Sequence, residues 1–117
     1  MIRKFEDLEV WKESMNMAID FYKVLNTINE FILKKQIQRA LISIPSNIAE
    51  GFERKSNEEF IQYLHISKGS CAEIRTQLYL LRELELIDRD LLNSFLDKKN
   101  KISAMLYKLI KTRQDRF

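Results

Sequence analysis

A chain of 117 residues with two glycines, one proline and 45% hydrophobic residues is long enough for one self-sufficient core and too poor in turn formers for a sheet or loop-rich fold. Twenty Lys and Arg against 17 Asp and Glu leave a net charge of +3, well short of compositions that hold nucleic acid by charge alone. A single cysteine, Cys71, and a single histidine, His65, exclude an internal disulfide and a Cys/His metal site, and no apolar run approaches the ~20 residues of a membrane span. The expectation is one all-α domain over residues 1–117. With no secretory apolar segment behind the charged start Met1-Ile-Arg-Lys-Phe-Glu-Asp7, the protein is expected to be cytoplasmic and free of membrane contact.

The first helix is expected to begin near Asp7 or Leu8, with Asp7 capping free backbone N–H groups and Glu6 and Glu9 near the positive end of the dipole. Leu8, Trp11, Met15, Ala18, Tyr22 and Leu25 follow at steps of three and four. A second row, Val10, Ser14, Met17, Phe21, Val24 and Ile28, widens the apolar arc beyond what one helical neighbour needs, which suits two neighbours or a subunit contact. Asn26 to Glu30 should hold the first turn.

The second helix is predicted from about Glu30 or Lys34 to Glu53, with Pro45 inside it. A mid-helix proline removes a backbone hydrogen bond and crowds the carbonyl of Leu41, at ~3 kcal/mol unless the helix bends. The apolar stripe of Ile37, Ala40, Leu41, Ile44, Ile48 and Phe52 keeps its phase across Pro45, which favours one kinked helix over a restart at the proline. Beside that stripe runs a polar one, Gln36, Arg39, Ser43, Asn47 and Glu50. Together with Ser70, Glu73 and Gln77 of the next helix it reads as a hydrogen-bonded seam, with Arg39 paired to Glu50 or Glu73 and with Ser43 or Asn47 satisfying groups freed by Pro45. A ligand-contacting surface is the alternative. If the seam is buried, Asn47→Ala or Glu50→Ala should cost about 1–3 kcal/mol.

Ser56-Asn-Glu-Glu59 matches the capping box that opens a helix. From Phe60 the positions Leu64, Ser67, Cys71, Ile74, Leu78, Leu81 and Glu85 keep a heptad register, so the third helix should run roughly 28 residues, about 42 Å. Gly69 and Ser70 near its centre suggest a notch where another backbone approaches closely. Asp88 is placed to cap the fourth helix, expected to run to about Arg113 with Leu91, Leu92, Phe95, Ile102, Met105, Leu106 and Leu109 buried. Lys98 and Lys99 interrupt that stripe, which calls for a stem-buried lysine or a frayed turn. Short connections between four such helices predict an antiparallel up-down-up-down bundle.

Catalytic and cofactor chemistry is excluded by elimination. The two glycines, Gly51 and Gly69, cannot form a phosphate-cradling loop, and His65 has no Asp, Glu or Cys three or four residues away. Cys71 falls among core positions, where cysteine is an inert hydrophobe. No enzyme, metal or cofactor is expected. Lys98, Lys101, Lys108 and Lys111, with Arg54 and Lys55 at the second connection, could bind phosphates without reading sequence; a solvated helix whose basic end complements its dipole is the competing reading.

Three stretches carry a resemblance: Phe5-x-Asp7-Leu8-x-x-Trp11, Gln36-x-x-Arg39-Ala40-x-x-Ser43-Ile44-Pro45-x-Asn47-Ile48-Ala49-Glu50-Gly51, and Gly69-Ser70-x-x-Glu73. They resemble the four helix bundle proteins encoded in bacterial 23S rRNA intervening sequences. The resemblance covers nearly the whole chain and implies a homopentameric bundle, with kinship to the accessory protein of diversity-generating retroelements, which is associated with nucleic acid and a reverse transcriptase. The expected function is a non-enzymatic oligomeric module that binds structured RNA or DNA. The alternative is a protein-interaction scaffold whose contacts fall on the first helix, with Ile42 and Ala49.

Overall fold

In the computed structural model, which describes residues 2–117, a 3₁₀ turn at Phe5–Asp7 leads into four helices: α1 Glu9–Leu25, α2 Phe31–Phe52, α3 Asn57–Glu83 and α4 Arg89–Arg116. They form an all-α four-helix bundle measuring 45 × 20 × 19 Å. Helix α1 lies against α2 and α4, and α3 lies against the same two. Partners across each seam occur in opposite order along the chain: Ser43 meets Ser70 and Glu50 meets Tyr63, while Asp20 meets Lys98 and Glu13 meets Lys101.

The start of α1 differs from the sequence expectation. Asp7 sits inside the 3₁₀ turn, and Leu8, extended at φ −72° and ψ 124°, precedes the helix without a side-chain cap. The apolar side chains govern this start: Phe5 packs on Trp11 with ring centroids 5.4 Å apart, and Leu8 is buried. The wide arc of α1 is confirmed, since Val10, Ser14, Met17 and Phe21 of the second row are buried with Ala18 and Leu25 of the first. At its far end, Thr27 donates to the carbonyl of Val24 and Ile28 is buried, closing the turn.

Helix α2 starts at a cap the pattern did not mark, the Glu30 carboxylate accepting from the N–H of Leu33 at 2.7 Å. It is continuous through Pro45, and Ile37, Leu41, Ile44 and Ile48 are fully buried. The other two starts follow the sequence. Ser56 Oγ accepts from the N–H of Glu59 at 3.1 Å, and Asp88 accepts from that of Leu91 at 2.9 Å.

Helix α3 ends in a way no glycine announces. Glu85 takes a left-handed φ of 56°, its N–H donates to Arg82, and the N–H of Leu86 reaches back to the carbonyl of Leu81. These two bonds make a Schellman termination, in which glycine is the usual left-handed residue. Helix α4 runs to Arg116, beyond the expected Arg113, and it is unbroken at Lys98 and Lys99. Lys99 is 6% exposed, so the stem-buried alternative holds. Phe95 stacks on Phe21 of α1 at 4.2 Å and joins the α1 and α4 layers of the core.

Candidate functional site

The polar seam between α2 and α3 is present but smaller than the sequence suggests. Ser70 Oγ donates to Ser43 Oγ at 2.8 Å, and Asn47 Nδ2 donates to the same hydroxyl at 2.9 Å and to the Ser43 carbonyl at 2.8 Å. Ser67, a polar member of the α3 heptad, is completely buried and donates to the Ile44 carbonyl. These bonds fall on the carbonyls of Ser43 and Ile44, whereas Pro45 removes the partner of Leu41, so the seam fixes register between helices instead of repairing the proline.

Gln36, Arg39, Glu50 and Glu73 are exposed. The buried ion pair of Arg39 with Glu50 or Glu73 does not form, because a charge buried between helices loses more hydration than one partner restores. Glu50 instead accepts from Arg54 at 3.0 Å and from the Tyr63 hydroxyl at 3.2 Å, and Arg54 also donates to Tyr63. The Tyr63 contact, more than Glu50, raises the Arg54 guanidinium above its ordinary value.

The close backbone approach also lies elsewhere. A Cβ at Gly69 would meet nothing within 4 Å, whereas one at Gly51 would lie 2.5 Å from Tyr63 Cβ. Gly69 instead lines a shallow outward groove of α3 with Ala72, Glu73, Thr76 and Gln77, and the buried Oε1 of Gln77 has no hydrogen-bond partner among the described residues. Cys71 is buried, and desolvation pushes its thiol above the ordinary value against the opposing effects of Ser103 and Lys99. His65 is exposed. Among the described residues no group of three or more His, Cys, Asp or Glu is placed to hold a metal ion, and no helix is long and apolar enough to cross a membrane.

The six basic candidates separate into two sets. Lys98 binds Asp20 and Lys101 binds Glu13, each at 3.0 Å across the α1–α4 seam, and Arg54 is committed to Glu50 and Tyr63. Lys55, Lys108 and Lys111 are exposed, and among the described residues none has a carboxylate within ion-pair distance. A further cation of the basic C-terminal stretch lies outside those six. Arg113 lies at the end of α4 that meets the α2–α3 connection, where its Nε donates to Asn57 Oδ1 at 2.8 Å and desolvation lowers its guanidinium from the ordinary value.

Residues 6–108 match the family described as 23S rRNA-intervening sequence protein. The chain belongs to that family. A crystal structure of a protein with unknown function from the S23 ribosomal protein family of Bacteroides thetaiotaomicron VPI-5482, at 1.70 Å, superposes with a TM-score of 0.82. That protein is 34% identical, and the match covers 88% of this chain and 99% of the other. No curated protein matches this family member.

Proposed function

We propose that this protein is a non-enzymatic, self-assembling bundle that holds the phosphate backbone of structured RNA or DNA on exposed lysines. The observation that carries the reading is the set Lys55, Lys108 and Lys111, exposed and without acidic partners among the described residues. An unpaired surface ammonium releases counterions when a phosphate replaces them, whereas a lysine already on a carboxylate gains much less. Lys98, Lys101 and Arg54 therefore drop to a supporting role.

Self-assembly is favoured by two separate apolar surfaces. Ile19 and Ile42, each about half exposed, border a shallow cavity of about 530 Å³ with Met15, Ala18 and Tyr22 between α1 and α2. On α3 and its C-cap, Ile66, Leu80 and Leu84 stand exposed along the same outward stripe as Gly69 and Gln77. Two unlike patches on one protomer favour head-to-tail contacts, which close into a ring when the rotation permits. A homopentamer in the cytoplasm is the assembly we propose. The scaffold reading rests on the same patches being covered by a different protein.

The test is fluorescence anisotropy of nuclease-treated protein with a labelled structured RNA and a labelled DNA duplex at low and near-physiological salt. Micromolar or tighter binding that weakens as salt rises is expected. Absence of binding at low salt overturns the nucleic-acid reading and leaves the scaffold. Sedimentation of the same sample tests assembly, and a strict monomer at high micromolar concentration contradicts it.

A further inference from the structure

An aromatic cavity of about 440 Å³ lies where the α2–α3 connection meets the last turns of α4, a size within the ~300–1,000 Å³ of small-ligand sites. Phe52 and Phe60 form its floor, edge to face with centroids 5.8 Å apart. Above them the Arg113 guanidinium is held between two rings, 4.9 Å from the centroid of Phe60 and 3.9 Å from that of Phe117. Asn57 orients it, accepting from Nε at 2.8 Å while its own amide donates to the main-chain carbonyl of Arg113 at 2.9 Å.

Two features distinguish Arg113 from a cation that only complements a helix end. A dipole-complementing arginine stays in water, whereas this one is half-buried between aromatic faces. Of its five N–H donors, one is given to Asn57, and among the described residues no carboxylate lies within ion-pair distance. The walls carry no acidic side chain, and Thr112 adds a hydroxyl. A second groove, of about 340 Å³, shares Leu8, Leu109 and Thr112 with the cavity and is bordered by Lys108 and Glu9. Lys55 stands two residues before Asn57.

We propose that this cavity receives one unpaired nucleobase of a single-stranded RNA or DNA segment, its face stacked against Phe117 and its edge acceptors on the free N–H donors of Arg113, with the flanking phosphates on Lys108 and Lys55. Every base has a π-face that stacks on aromatic rings and guanidinium planes, and edge acceptors for the remaining N–H donors. A base locked in a duplex cannot enter. The proposal rests on the nucleic-acid reading above and adds that the protein prefers unpaired strands.

The test compares two labelled oligonucleotides with equal numbers of phosphates, one an unstructured single strand and the other fully paired, at one salt concentration. Binding is measured for the wild type, Phe117→Ala and Arg113→Gln. Phe117 is 69% exposed, so its removal leaves the core intact even if Arg113→Gln loosens the end of the bundle. The wild type should bind the single strand roughly fivefold or more tightly than the duplex, in line with the stacking of one base. Phe117→Ala should abolish that preference while leaving duplex affinity unchanged, and Arg113→Gln should abolish it as well. Equal binding of both strands by the wild type, or a preference that survives both substitutions, overturns the base cavity and leaves the phosphate reading standing. Failure of the wild type to bind either oligonucleotide at low salt overturns both.

Discussion

The two halves of α4 use lysine to opposite ends. In the first half, Lys98 and Lys101 reach across to Asp20 and Glu13 of α1, and Lys99 runs its stem into the core. In the second half, Lys108 and Lys111 are exposed and face no carboxylate within ion-pair distance among the described residues. Seven basic residues against one acid in residues 98–117 look alike in sequence, yet only some are available to a phosphate. The availability of a lysine is decided by the helix it faces.

The largest effect should come from cutting the first half loose from α1. Phe95→Ala removes the ring stacked on Phe21 and should cost about 3–5 kcal/mol, read from denaturant unfolding. Next comes a control on the α2–α3 seam. Gly51→Ala forces its Cβ against Tyr63 and should cost about 1–3 kcal/mol through overpacking, reduced by up to ~1 kcal/mol of helix propensity. Smaller again are Lys98→Gln and Lys101→Gln, which break partly exposed ion pairs and should each cost under about 1 kcal/mol, with the difference from wild type shrinking as salt rises. Smallest are Lys108→Gln and Lys111→Gln, expected within about 0.5 kcal/mol of wild type in the same unfolding experiment. A stability loss there as large as at Lys98 would mean that the two halves do not differ.

Local chemistry made much of the fold legible. Ser56 and Asp88 announce helix starts because a short oxygen-bearing side chain reaches a backbone N–H three residues on, and α2 reads as continuous because its apolar stripe does not change phase at Pro45. Glu30, expected as a helix start but not as its cap, and Glu85 share a related reason for going unread. Glutamate is not the expected cap and not the expected left-handed residue, so the signals usually read there were absent. Replacing Glu85 by glycine relieves a backbone strain of about 1–2 kcal/mol, offset by the added freedom of the unfolded chain, and should leave stability unchanged or slightly higher by thermal unfolding.

The candidate site was less legible because it depends on register between helices. Ser43, Asn47 and Ser70 share a helical phase and meet, whereas Arg39, Glu50 and Glu73 share that phase and end in water. Asn47→Ala should therefore cost about 1 kcal/mol and Glu50→Ala under ~0.5. Asp20 and Lys98 are 78 positions apart, and Arg113 is 56 from Asn57. No local pattern reports pairs at that separation.

The most direct test of the division within α4 is the salt dependence of binding to a labelled structured RNA, measured for the wild type and two combined variants. Lys55→Gln with Lys108→Gln and Lys111→Gln should flatten the slope of log affinity against log salt by roughly 2–3, about one for each phosphate no longer neutralised. Lys98→Gln with Lys101→Gln should flatten that slope by much less. Equal flattening by the two variants, or an unaltered slope in the triple one, would contradict the account.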